Sequence, residues 1–171
     1  MLTNLQRIAN GIDIINDRVG RSVAWLTISM VVVTCVVVVA RYLFGAGSIA
    51  LQESVMYMHG AVVMLAIAFT LKEKGHVRVD VLHERFSEKN RALIDMLGCV
   101  CFLLPVSTFI FWTSLDYVSF SWSLSESSAQ PGGLPGVYLL KTLIPAMAGL
   151  LMIQGFAELV RAFINFQQKA T

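Results

Sequence analysis

Three stretches of about twenty residues carry no charged side chain, and a fourth carries a lysine near its start and Glu158 and Arg161 near its end. Residues 22–40 lie between Arg21 and Arg41, residues 54–71 between Glu53 and Lys72, and residues 96–115 between Asp95 and Asp116. The fourth begins near Pro135, contains Lys141 and Pro145, and continues to about Phe163. A hydrocarbon core of ~30 Å divided by a helical rise of ~1.5 Å per residue requires ~20 residues per crossing. The valine-rich part of the first run (Val31 to Val33, Val36 to Val39) would suggest a strand in a shorter segment, but its length favours a helix in lipid. Composition agrees: the chain is 56% hydrophobic and only 14% charged, where a soluble domain carries roughly 25%. The expected fold is an all-α integral membrane protein. One membrane domain, 1–171, holds spans at about 22–43, 54–71, 92–116 and 136–163. An amphipathic surface helix at about 2–20 precedes them, and a short interfacial helix precedes span two.

Lysine and arginine asymmetry sets the expected orientation. The segment between spans two and three carries Lys72, Lys74, Arg78, Arg85, Lys89 and Arg91, whereas the segment from Asp116 to Leu140 carries none. Arg7, Arg18 and Arg21 precede span one, and Arg161 and Lys169 close span four. Cytoplasmic N- and C-termini and a cytoplasmic middle loop satisfy each of these biases. A cleaved signal peptide is not expected, because charges crowd the first 21 residues and the apolar stretch after them is too long. A net charge of +2 gives no reason to expect nucleic-acid binding.

Leu2, Leu5, Ile8, Ile12, Ile15 and Val19 recur at helical spacing, with Arg7, Asn10, Asp13, Asp17 and Arg18 between them. Such a helix lies on a membrane surface or on a partner's soluble face. Gly45 and Gly47 break the first span, and Ser48 is placed to cap a helix entering at Ile49. In the middle loop Val77, Val79 and Val81 alternate with His76, Arg78 and Asp80, a period-two pattern. Ser87 and Glu88 are suited to begin helix three before it enters lipid. Ser119, Ser121, Ser123 and Ser125 alternate with Phe120, Trp122 and Leu124, followed by the turn-forming run 130–136. This reads as an interfacial aromatic segment ending in a loop, or as a docking surface for a partner outside the membrane.

Candidate chemistry is sparse. Cys35, Cys99 and Cys101 all fall in apolar stretches and read as packing residues. His76, Asp80, His83 and Glu84 lack the spacing of a metal site and read as a salt-bridged loop. His59 alone within a span cannot supply the paired axial ligands of a membrane haem. No phosphate-cradling loop or nucleophile–base pair stands out, so no catalytic, cofactor or metal residue is assigned. Glu53, His59, Gln154 and Glu158 remain as ionisable or polar groups near membrane depth. Glu53 and Glu158 fall at span ends, Glu158 three residues before Arg161, and Gln154 and His59 suit interhelical hydrogen bonding.

Glu53 opening span two, Gly60 within it, the string His76-Val77-Arg78-Val79-Asp80 after it, then Leu134-Pro135, Lys141 and Pro145 opening span four form an ordered set. With these residues nearly the whole chain resembles the small membrane subunit of tripartite ATP-independent periplasmic (TRAP) transporters, the DctQ-type family. The resemblance implies a component of a secondary transporter in the bacterial inner membrane and not an enzyme. It implies two protein partners besides membrane lipid. One is a large membrane subunit that holds the sodium and substrate sites and moves as an elevator. The other is a periplasmic solute-binding protein that delivers a carboxylate-bearing solute. The small subunit would brace the large one, with Glu53, His76, Arg78 and Asp80 fixing loops and interfaces, and with Lys141 and Pro145 as further structural or interface candidates. Arg78 and Asp80, two apart in an extended segment, point the same way. Two other classes stay open on the residues alone: a stand-alone four-span exporter acting as a dimer, and a membrane-anchor subunit of a redox complex.

Overall fold

The computed structural model describes residues 2–75 and 88–168. Among these residues are five α-helices: α1 (Leu2–Phe44), α2 (Ile49–Lys72), α3 (Glu88–Gly98), α4 (Leu104–Ser123) and α5 (Val137–Gln168). A single wider turn, Cys99–Leu103, joins α3 to α4 without a break, so four helical rods are long and apolar enough to cross a membrane. The wide turn has a local cause. Pro105 has no N–H to offer Cys101, and its ring crowds that carbonyl; the helix relaxes by letting the Leu104 N–H reach back five residues to Cys99.

The first helix differs from the expectation of two elements. Residues 2–20 are helical, but they continue into span one as a single 43-residue helix. At ~1.5 Å per residue it is about 65 Å long, roughly twice the hydrocarbon thickness. The polarity of the chain changes near Arg21, but no proline or glycine pair interrupts the backbone there. The stripe turned toward the bundle is Leu5, Ala9, Ile12, Asn16, Gly20 and Val23, whereas Ile8 and Ile15 are half exposed. Leu5, Ala9 and Ile12 pack on Ala157, Val160 and Ile164 of α5. This stretch therefore rests in part on the chain's own last helix. At the start of α2, Ser48 caps as expected, its Oγ accepting the Leu51 N–H at 3.4 Å. No separate interfacial helix precedes span two; residues 49–53 form the first turn of α2 itself. The serine-aromatic run at 119–123, expected to lie in the segment beyond span three, is the end of α4. Pro145 is buried within α5, which runs continuously past it.

Packing is thin and depends on small residues. α1 packs on α2, both α2 and α4 pack on α5, and the first third of α1 also packs on α5. α4 joins the bundle mainly through α5. Ala9, Ala68, Ala148 and Ala157 are almost fully buried, while Trp25, Phe102, Phe109 and Trp112 are largely exposed. Hydrocarbon gives helices no hydrophobic reason to associate, so association rests on close backbone approach and polar contacts. Gly20 shows the first: a Cβ there would lie 2.5 Å from Cγ of Phe69 on α2. Gly155 allows the same closeness to Leu103, at 2.9 Å.

Replacing Gly20 with valine is expected to force α1 and α2 apart and to cost ~1–3 kcal/mol, the usual range for overpacking. A Cβ at Gly11 meets nothing within 4 Å, so Gly11→Ala should leave stability unchanged or slightly raised. Thermal unfolding of the two variants in detergent checks the contrast.

Candidate functional site

The bundle carries two groups of interlocked polar side chains, one at each end. The first lies where both termini emerge. Asp13, Asn16 and Asp17 occupy one face of α1 over a single helical turn and meet two helices. Asn16 Nδ2 donates to Gln154 Oε1 at 2.7 Å, and both residues are buried. Gln154 Nε2 donates in turn to Asp13 Oδ1 at 3.1 Å and to Glu158 Oε1 at 3.2 Å. Arg161 bridges Asp13 and Glu158, reaching the latter at 2.6 Å. Asp17 turns the other way: it accepts from Lys72 of α2 at 2.8 Å and from Arg21, one turn on, at 2.7 Å. Lys72 also pairs with Glu73 at 2.9 Å. α1, α2 and α5 are thus tied together at one level. Asn16 Oδ1 is buried without a partner among the described residues, which leaves this clasp imperfect.

The second group lies at the opposite end and holds the α4–α5 loop. α4 closes in a Schellman turn: the Ser125 N–H bonds the Trp122 carbonyl at 3.0 Å, and the Glu126 N–H bonds the Ser121 carbonyl at 3.1 Å. Ser125 sits in the left-handed region (φ 46°), so the chain doubles back and Glu126 faces the bundle. Its carboxylate accepts from Lys141 Nζ at 2.5 Å and from Ser121 Oγ at 2.6 Å. Lys141 lies 4.1 Å from the centre of the Tyr117 ring, a favourable cation–π position. Glu53, at the head of α2, takes the far side of the loop. It accepts from Ser128 Oγ and from the Leu134 N–H, the latter at 2.7 Å. Gly133 is needed here, because a Cβ would lie 2.8 Å from Glu53 Oε1 and closer still to Ser128. Trp122 donates to Thr142 Oγ1 at 2.9 Å and meets the Tyr138 ring edge-on at 4.6 Å.

Of the residues singled out from sequence, Glu53 and Lys141 fall in this second clasp and grip the loop from two helices. Pro145 lies one turn beyond Lys141; its missing N–H leaves the Lys141 carbonyl without the usual helical donor. His76, Arg78 and Asp80 lie outside the described residues, as do His83, Glu84 and Ser87. Glu158 pairs with Arg161 and Gln154 bonds across to α1, as their positions suggested. His59 bonds no other helix; it is exposed on α2 without a partner among the described residues. Asp13, Asn16, Asp17 and Glu126 were not singled out as sites. Glu126 had a usable signal: it is the one carboxylate between Asp116 and Glu158, and Lys141 needs a counter-charge.

The Lys141 ammonium, and then the Ser121 hydroxyl, hold the Glu126 carboxyl below its ordinary value of 4.5. A carboxyl depressed in the folded state contributes stability that is full above its unfolded value and is lost as pH falls through the lower folded value. Backbone amides of the 124–136 loop, corrected for intrinsic rates, should therefore exchange faster as pH drops below about 4.5. Glu126→Gln should show fast exchange already at neutral pH and lose the Glu126-linked part of that acid dependence. At the other end, Gln154→Leu takes the acceptor from the buried Asn16 amide and leaves Asp13 to Arg161, and should cost ~1–3 kcal/mol. The double variant Asn16→Leu, Gln154→Leu should be less destabilised than the sum of the two single changes, as denaturation of all three in detergent would show.

Both clasps order helices and a loop, and apart from Asn16 Oδ1 their donors and acceptors largely serve one another. The family model described as "Tripartite ATP-independent periplasmic transporters, DctQ component" matches residues 30–165, which takes in α2, α4, the loop and nearly all of α5. No curated protein and no solved structure matches the chain. Four membrane-length helices, polar groups engaged in holding them together, and a match over most of its length place the chain in the DctQ component family of the tripartite ATP-independent periplasmic transporters, as a transport component and not an enzyme.

Proposed function

We propose that the chain is the small scaffold subunit of a sodium-coupled, binding-protein-dependent importer of a carboxylate-bearing solute, bracing a large elevator-type subunit in the bacterial inner membrane with both termini in the cytoplasm. The DctQ component works with a large DctM subunit and a periplasmic binding protein. One observation carries the scaffold role: the charged side chains of the two clasps are engaged with one another at the bundle's ends, and the packed middle is built from small and apolar residues. A coupled carrier needs ion-binding groups within its spans. Here Glu53 sits at the head of α2 and holds the loop, and Glu158, toward the end of α5, pairs with Gln154 and Arg161 of its own helix. That arrangement favours bracing over a stand-alone exporter. On this reading the loop gripped by Glu53 and Lys141 faces the periplasm in one fixed shape, suited to docking of the binding protein. His76, Arg78 and Asp80 fix the basic loop on the cytoplasmic side.

The test is capture of the tagged chain from its native membrane in mild detergent, with mass spectrometry of what accompanies it. A multi-span membrane protein in stoichiometric amount is expected, and the chain alone in liposomes should move no solute. A chain that emerges alone, self-associated and active in liposomes would overturn the proposal. Within the complex, Asp80→Ala should lower recovery of the large subunit or the transport rate; full recovery together with full transport would remove the role given to Asp80.

A further inference from the structure

Arg18 and Arg21 stand on the outer side of α1 at a depth that the contacts of the helix fix. A Cβ on Gly20 would lie 2.5 Å from Cγ of Phe69 on α2, and Asp17 bonds Lys72, the last residue of α2, at 2.8 Å. The charge-free runs of these two helices, residues 22–40 and 54–71, therefore end at one level. That level is the edge of the hydrocarbon on the side where the termini emerge. Beyond it, toward the termini, Asn16 and Asp13 meet Gln154 and Arg161 of α5.

Asn16, Gly20 and Val23 turn toward the bundle. The opposite side carries Arg18, Arg21, Ser22 and Trp25, at i, i+3, i+4 and i+7, which are neighbours on a helix surface. All four are exposed, the Arg21 side chain at 76% and Trp25 at 71%. Side chains lean toward the N-terminus of a helix, so both guanidinium groups extend away from the hydrocarbon. Trp25 follows one turn deeper than Arg21, and the exposed Ile28 and Val32 continue that side into the span.

Charge is unbalanced on this side alone of the termini-end clasp. Lys72 is matched by Asp17 and Glu73, and Arg161 by Asp13 and Glu158. Arg21 has only Asp17, which it shares with Lys72, and its contacts there leave part of its five N–H donors free. Arg18 has no partner among the described residues.

We propose that Arg18, Arg21 and Trp25 bind the phosphate of an anionic phospholipid in the leaflet on the termini side, with its acyl chains along Ile28 and Val32. Guanidinium groups suit phosphate because they present paired N–H donors to it. Tryptophan rings favour the headgroup level. Cation, ring and apolar stripe follow one another in the order in which a phospholipid presents phosphate, glycerol region and tails. An acidic protein surface would match the arginines but not the stripe. A zwitterionic headgroup brings its own ammonium beside the two guanidinium groups, whereas a net negative lipid is drawn to them. The site requires only that the chain spans a bilayer, so it stands or falls apart from the scaffold reading.

The experiment places the full chain, with any subunit that accompanies it, in phosphatidylcholine discs. These contain rising amounts of phosphatidylglycerol or phosphatidylethanolamine with brominated acyl chains, which quench nearby tryptophan. The difference from Trp25→Phe isolates the Trp25 signal. Half-quenching of that signal should need at least about five-fold less phosphatidylglycerol than phosphatidylethanolamine, the effect of one arginine at a charged membrane surface. Arg18→Gln, a change at an exposed position, should raise the phosphatidylglycerol requirement about five-fold, and Arg18→Lys should raise it less. Arg41→Gln, which removes the same charge from the exposed other end of α1, should leave it unchanged. Equal quenching by the two lipids would mean ordinary boundary lipid and overturn the proposal. A preference that survives Arg18→Gln, or that falls as much in Arg41→Gln, would overturn it too. Shielding of Trp25 from both lipids would put protein on this face and overturn it likewise.

Discussion

Hydrocarbon offers a helix neither a hydrogen-bond partner nor a hydrophobic reason to leave it, and the whole architecture answers that constraint. In water a bundle of this size would bury a continuous core of large side chains. Here the nearly buried residues are mostly small, such as Ala68, Ala148 and Ala157, or polar, such as Asn16, Ser107 and Gln154. Dispersion between closely approaching backbones and hydrogen bonds at the ends hold the helices. Individual interhelical hydrogen bonds in membranes average only ~0.6 kcal/mol, so binding through several at once matters more than any one. Gln154 is the clearest case, joining Asn16 and Asp13 of α1 to Glu158 of its own helix through one amide.

The spans were legible because the bilayer imposes a length and a polarity that no soluble fold requires together. The limits of the helices were less legible, since polarity reports where a helix meets water and not where it stops. Residues 2–20 and 22–43 differ in polarity yet form one rod, because nothing between them disfavours helical backbone. The same confusion turned Ser119 to Ser123 into an apparent alternation: on a helix, Ser121 faces inward to Glu126 while the Ser119 and Ser123 hydroxyls bond carbonyls three residues back. Glu53 and Lys141 were found because charges at span ends are conspicuous. Asp13 and Asn16 were hidden, since on an amphipathic helix they look like part of the solvated face. Only the position of α5 shows that the buried face is centred on Ala9 and Asn16 rather than on Ile8 and Ile15.

The two clasps divide the work. At the termini end, α1, α2 and α5 are locked by carboxylates facing Lys72 and Arg161. At the loop end, α2, α4 and α5 are locked through the loop itself, with Glu53 and Lys141 gripping opposite sides. α5 takes part in both, and its contacts with Leu103 and Phe111 carry α4 alongside. The wide turn at Cys99–Leu103 falls where Gly155 approaches, and Cys99 Sγ lies 3.3 Å from the Gly155 carbonyl. The irregularity that Pro105 forces on the helix is thus placed where Gly155 lets α5 approach closely.

A bundle locked at both ends is a poor candidate for a moving part. Alternating access requires an element with two arrangements of comparable free energy, and rearranging these helices would separate Asp13 from Arg161, Asp17 from Lys72 and Glu126 from Lys141 together. The same locking suits a brace, because a brace works by not yielding while something beside it moves. The valines of α1 and the aromatics of α4 are satisfied by lipid, so their exposure costs nothing and specifies no neighbour.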